Sequence, residues 1–390
     1  LIATLMNSEE FLYCIPIQIF FYLQLIVGSV AVFRLYTLLY IISIIWKRYI
    51  DISIYKRNIL YVIIGIFFSL FVIAPRELQR GIFLCLDIII LWSSTSELRA
   101  KNKINEELKY FVYAALCAGL YGMFSGAAYI TEEVLGGYYT TMPRYLATFN
   151  DVNYAGMFFN IAIICCISLK NVFKNRVVKC AVLMALYVAL LATLSITAII
   201  CNAVLLILYF LLERKKNLIR IIAIIIIGII IVYFLYIYGL NNVDSTIGHF
   251  VYRISDRIMA LKTGDYSAFT SYRVNKTNAH WDFFWNQGIL KMLLGGNPIS
   301  AAYTDSSVFT YAAHNEYVDL LLSVGIIGWI LYFGTYIARF IKDLFFLLKE
   351  ECKEKVDQEK TVVLVHACYL IYAATLTMFL DHRFLFVFLL

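Results

Sequence analysis

The chain has 390 residues, 62% of them hydrophobic and 15% charged, with a net charge of +7. Apolar runs of about 15–23 residues recur from end to end, close to the ~20 that cross ~30 Å of hydrocarbon as helix, and this excludes a soluble globular protein. The positive charge follows from membrane topology and does not point to nucleic acid.

Lipid cannot satisfy an open backbone, so the expected fold is all-α and polytopic, with about 11–12 transmembrane helices. In chain order the predicted spans are 11–27, 29–46, 58–74, 81–95, 109–130, 152–169, 178–194, 196–212, 218–238, 316–338 and 361–380, with a last one from 384. Residues 11–46 can also be read as one long tilted helix. Residue 1 is leucine, so the start reads as trimmed, and the chain is expected to stop inside its last helix. Three regions result: 1–238 with about nine helices, a large loop over 239–315, and C-terminal helices over 316–390.

Lysine and arginine gather in 47–57, 99–109, 170–179, 214–220 and 339–360, on every second loop. Cytoplasmic loops hold such an excess, so the remaining loops are expected to face outward. The long loop 239–315 is rich in Trp, Tyr and Phe, and is expected to be folded and to lie on the outer surface. All nine cysteines fall in spans or on the cytoplasmic side, so no disulfide framework is expected.

Three outward positions can carry chemistry: Arg144 in "PRYLATFNDVNYAGMFF", Arg273 in "SYRVNKTNAHWDFFW" and His314 in "AAHNEYVDLLLSVGIIGW". Each also has a structural reading. An arginine near a helix end snorkels to headgroups, Arg273 can pair with Asp265 or Asp282, and Asn315 is a good helix N-cap beside an interfacial histidine. His249 and His280 form no metal-ligand spacing, and "LLGGNPIS" is a tight turn, not a phosphate-binding loop. Arg34 is costly inside a predicted span. Gly325 and Gly328 are expected to let a neighbouring helix approach closely. A transporter would show inverted repeats and charged groups near mid-membrane, and neither is clear here.

Residues 314–328 resemble the signature of the O-antigen polymerase and O-antigen ligase superfamily, H-N-x-Y-L-x-x-L-x-x-x-G-x-x-G. His314, Asn315, Tyr317, Leu321, Gly325 and Gly328 match; Val318 replaces the leucine, and Ser323 an acidic residue common in the family. Upstream, Arg273, Trp281 and Gly295/Gly296 fit the family's arginine, tryptophan-containing helix and glycine turn. Arg144, Phe149, Asn153 and Ala155 are similar to a further family stretch. One segment departs: "TLSITA" lacks the arginine of the family's T-x-S-R.

The resemblance covers roughly 140–335 and implies a fold like that of the glycosyltransferase C class. It implies transfer of a glycan from undecaprenyl pyrophosphate on the extracytoplasmic face of a bacterial cell membrane. His314 would be the general base, Arg144 and Arg273 a clamp on the pyrophosphate, and Asn153, Asn315 and Trp281 substrate contacts, with no cofactor and no metal. The implied partners are lipid-linked oligosaccharides as donor and acceptor, the bilayer, a flippase and a chain-length regulator. Polymerase is favoured over ligase because the Ile-, Lys-, Asn- and Tyr-rich composition suits an AT-rich genome, and many such bacteria lack lipopolysaccharide.

Overall fold

A computed structural model describes residues 13–21, 26–27, 30–31, 59–73, 78–125, 129–133, 141–169, 173, 175–213, 233–243, 245–266, 273–296, 313–349, 353–376 and 378. Arg34, most of the expected spans 29–46 and 218–238, and the one from 384 lie outside them. Helix α1 (Ile15–Phe20) has a proline in its first turn and is followed by a tight pairing of β1 (Ile26–Val27) with β2 (Val30–Ala31). The chain therefore does not run through 11–46 as one tilted helix.

Helix α2 (Ile59–Phe68) continues as a π-helical turn over Ser69–Ile73, and α3 (Leu78–Ala100) and α4 (Ile104–Ser125) come next. The expected span 109–130 begins earlier and ends at Ser125. Its last residues instead enter an antiparallel hairpin of β3 (Tyr129–Glu133) and β4 (Thr141–Tyr145). Helices α5 (Val152–Ser168), α6 (Arg176–Ala192) and α7 (Ile196–Leu212) fall on three expected spans. The described part of the long loop is helical: α8 (Thr246–Lys262), α9 (Arg273–Asn286) and α10 (Ile289–Leu294). Helix α11 (Glu316–Trp329) passes through a π-helical turn, Ile330–Gly334, into α12 (Thr335–Lys349), and α13 (Lys353–Ala373) follows.

Among the described residues, Gly81–Ala100, Ile104–Ser125 and Glu316–Leu347 are long and apolar enough to cross a membrane, and Val152–Ser168 and Ile196–Leu212 are shorter apolar helices. The protein is an all-α polytopic membrane protein, with the small hairpins as the exceptions.

The helix starts are written in the sequence. Each first turn leaves backbone N–H groups without partners, and Asp151, Asn175, Ser195, Ser245 and Asn315 accept from them as N-caps of α5, α6, α7, α8 and α11. Helix α5 is buried along nearly all its length, packed by α4, α6, α7 and α13. A Cβ at Gly156 would stand 2.6 Å from the Ala198 side chain, so α5 and α7 cross almost backbone to backbone. At that crossing Asn160 donates to the Ala198 carbonyl (2.8 Å) and the Tyr372 hydroxyl (3.2 Å), and Asn202 donates to Asn160 Oδ1 (2.9 Å). Three helices are tied by one buried amide.

Two ends of the bundle differ. At one, Lys360 pairs with Glu213 (2.8 Å) and Arg99 with Glu359 (3.3 Å). The opposite end holds the start of α11 and the end of α13.

Gly325 does not act through a neighbouring transmembrane helix. It breaks α11 with φ 69° and ψ −178°, and a Cβ there would lie 2.4 Å from the backbone nitrogen of Gly295. A Cβ at Gly295, φ 76°, would lie 2.3 Å from the Ser323 carbonyl oxygen, while Gly296 N–H donates to that oxygen at 2.9 Å. The glycine turn after α10 is thus docked into the kink of α11. A Cβ at Gly328 meets Val324 of its own helix, so the expected glycine pair has two separate roles. Gly295→Ala or Gly325→Ala should each cost more than about 2 kcal/mol, combining left-handed strain with a backbone clash that cannot yield. Thermal melting in detergent reads this loss, and wild-type melting of both variants would refute the docking.

Candidate active site

Asn315 Oδ1 accepts from the backbone N–H groups of Tyr317 (3.1 Å) and Val318 (3.4 Å), which starts α11. His314, just before it, is half-buried and left-handed, φ 53°, a conformation that histidine adopts more readily than most residues. Against it lies one face of α9, where Arg273, Thr277, His280 and Phe284 recur at helical spacing. Phe284 packs with Ala313, Val318, Leu321 and Leu322, and Thr277 Oγ1 donates to the Ala313 carbonyl at 3.4 Å. His280 is buried, its Nδ1 2.7 Å from the Lys276 carbonyl oxygen.

This packing sets the charge around His314. Burial first, then Arg273 and Lys276, hold its imidazole below the ordinary 6.5, while Asp151 acts the other way and His280 adds slightly to the lowering. Burial and the Arg273 charge likewise lower the Lys276 ammonium.

The end of α13 fixes the depth of these groups. Arg273 Nη1 donates to the Thr375 carbonyl at 3.1 Å, and the Tyr317 hydroxyl to the Leu370 carbonyl at 2.9 Å. Glu316, fully buried, accepts from the Tyr369 hydroxyl at 3.0 Å and from the backbone N–H of Met378.

Arg144 approaches from another direction. It is the last residue but one of β4, is 3% exposed, and its Nε donates to the Thr193 carbonyl at 3.2 Å. Ser195, two residues on, donates to Asn153 Oδ1 at 2.7 Å while capping α7. The "TLS" turn without the family arginine therefore still joins Arg144 to the start of α5. Leu194 (φ 51°) and Ala147 (φ 53°) are left-handed here, as is His314. Such conformations cost about 1–2 kcal/mol each and cluster where a site holds its backbone in place.

The structure thus forms two groups, His314 with Arg273 and Arg144 with Asn153. Asp151 connects them, as cap of α5 and within electrostatic reach of both His314 and Tyr372. Asn315 spends its carbonyl oxygen on the cap. Trp281 is not brought in: it lies on the exposed side of α9, with its ring centroid 6.0 Å from Phe284 and edge-on to Trp285. Sequence reading missed Asp151, Thr193, Ser195 and Glu316, and weighed His280 only as a metal ligand. Only two left a signal, Asp151 as an N-cap before an apolar run and His280 as two helical turns past Arg273. Among the described residues, no group of three His, Cys, Asp or Glu is placed to hold a metal ion, and the cysteines are free thiols.

A family model described as O-antigen ligase matches residues 180–333, which takes in the Thr193–Ser195 turn, Arg273 and His314 but not Arg144 or Asn153. No curated protein matches the chain.

Histidine titration followed by NMR should place the His314 midpoint below 6.5. Arg273→Gln should raise it by removing a nearby positive charge; an unchanged midpoint would separate the two side chains.

Proposed function

We propose, from the match of residues 180–333 to a family model described as O-antigen ligase and from the motifs resembling the O-antigen polymerase and ligase superfamily, that the chain is a polymerase of surface polysaccharide, either O-antigen or capsule. At the superfamily level it is a multi-pass membrane protein of glycosyltransferase type whose substrates are lipid-linked oligosaccharides. In the finer reading, donor and acceptor are both repeat units on undecaprenyl pyrophosphate, met on the extracytoplasmic face of a bacterial membrane. A flippase supplies them and a chain-length regulator limits the product.

His314 accepts the proton of the acceptor hydroxyl, and that oxygen bonds to the anomeric carbon with inversion. The bond from that carbon to the pyrophosphate oxygen breaks, and its electron pair leaves with the phosphate. Arg144 and Arg273 stabilise the charge growing there, a task suited to permanently charged, bidentate guanidinium groups. Asn153 orients the donor beside Arg144. The observation that carries this reading is the meeting of His314, Arg273 and the start of α5 at one end of the bundle. The lowered His314 pKa supports it, since more of the imidazole is neutral, and so basic, at pH 7. Two guanidinium groups take the role a divalent metal has elsewhere, so EDTA should leave transfer by purified protein intact.

A second reading, transfer to a different acceptor, is favoured by the ligase description of the matched model. Purified protein given only a synthetic undecaprenyl-pyrophosphate repeat unit decides: a product ladder means polymerase, and no reaction until another acceptor is added means ligase.

His314→Ala should be expressed and inserted but lose roughly 10²–10⁴-fold in rate; normal polymer would remove the base from the reading. The wild-type rate should fall as pH drops through a midpoint below 6.5. Arg273→Ala should weaken donor use and Arg273→Lys restore little of it, lacking the bidentate grip.

A further inference from the structure

We propose that α10 dips into the bilayer beside α11 and that its Ile289, Leu290, Leu293 and Leu294 side chains are surrounded by lipid acyl chains. The inference rests on the membrane assignment alone and is independent of the reaction.

Depth is the first observation. Asp319 and Arg339 bound an uncharged run, Leu320–Ala338. That run is about 28 Å long at ~1.5 Å per residue, close to the ~30 Å of a hydrocarbon core. Taking Asp319 as the level of the boundary, Gly325, six residues on, lies about 9 Å inside it. The turn after α10 touches that point backbone to backbone and cannot rise from it without breaking the contacts of Gly295 and Gly296 with Ser323 and Gly325.

Surface chemistry is the second. Ile289, Leu290 and Leu294 are 76%, 68% and 59% exposed on a helix of six residues. Ile327 and Ile330, just past the docking point on the spanning helix, are 47% and 56% exposed, so exposed apolar side chains stand on both segments next to the docking point. Lys291 lies in the last turn of α10, and its long stem lets the ammonium reach the headgroups. The backbone is also suited to lipid. Gly296 N–H meets the Ser323 carbonyl at 2.9 Å and Gly295 N–H the Lys291 carbonyl at 2.8 Å, and non-helical backbone at this depth persists only when so satisfied.

The test uses the full native chain in nanodiscs of phosphatidylethanolamine and phosphatidylglycerol containing a lipid-soluble aryl diazirine. After photolysis, peptide mass spectrometry reads the label. The segment Ile289–Leu294 should carry label within roughly 3-fold per residue of Ile326–Leu331, and well above the water-facing turn Thr263–Tyr266. Labelling no greater than that turn, together with oxidation by water-borne hydroxyl radicals, would overturn the proposal. Protection from both reagents would overturn it too, because protein would then cover the face.

Discussion

Inside hydrocarbon a polar atom has no water to turn to, and leaving one unsatisfied costs several kcal/mol. The architecture is largely a set of answers to that constraint. Where α11 breaks at Gly325, the amide of Gly296 meets the Ser323 carbonyl. Where α5, α7 and α13 meet, Asn160 uses its amide on two helices at once and accepts from Asn202. Where α11 begins with a buried carboxylate, Tyr369 and the Met378 amide receive it. Each answer also fixes the relative height of two segments, so polar satisfaction and positioning are one device.

The candidate site uses that positioning to set charge. Its histidine is half-buried among cations, and a desolvated imidazole beside Arg273 and Lys276 resists protonation. The same cations make the locality attractive to an anion. In the proposed reaction a neutral base and a charged clamp would therefore be compatible neighbours, since the guanidinium charge disfavours protonation of the imidazole.

Much of the fold was legible in the sequence. Hydropathy located the helices at 59–73, 78–100, 104–125 and 152–212 to within a few residues at most ends, because lipid exposure leaves so few residue types to choose from. It failed where a backbone event overrode composition: Tyr129 and Ile130 are apolar enough to extend the span of α4 but pair in β3, and Gly325 looks like a helix-packing residue but is a break. Of the site, His314 and Arg273 could be found from motif order, as could Arg144. Asp151 was legible only as a helix cap, and the roles of Glu316 and the "TLS" turn were not legible, because their significance lies in contacts across 40 to 170 residues of chain. Trp281 shows the converse, a residue suited to a motif whose side chain faces away from the others.

The grip on the end of α13 has a consequence for biogenesis. Arg273, Glu316 and Tyr317 take their anchors from the Tyr369–Met378 region, which the ribosome delivers some fifty to a hundred residues later, at ~5–20 residues per second. Until that segment is threaded into the bilayer, α9 and the start of α11 hold each other through Thr277 and Phe284, but Arg273, Glu316 and Tyr317 lack the partners that tie them to the bundle. For several seconds after Arg273 and Glu316 have been synthesised, the nascent chain therefore carries both without the contacts that set their level in the finished bundle.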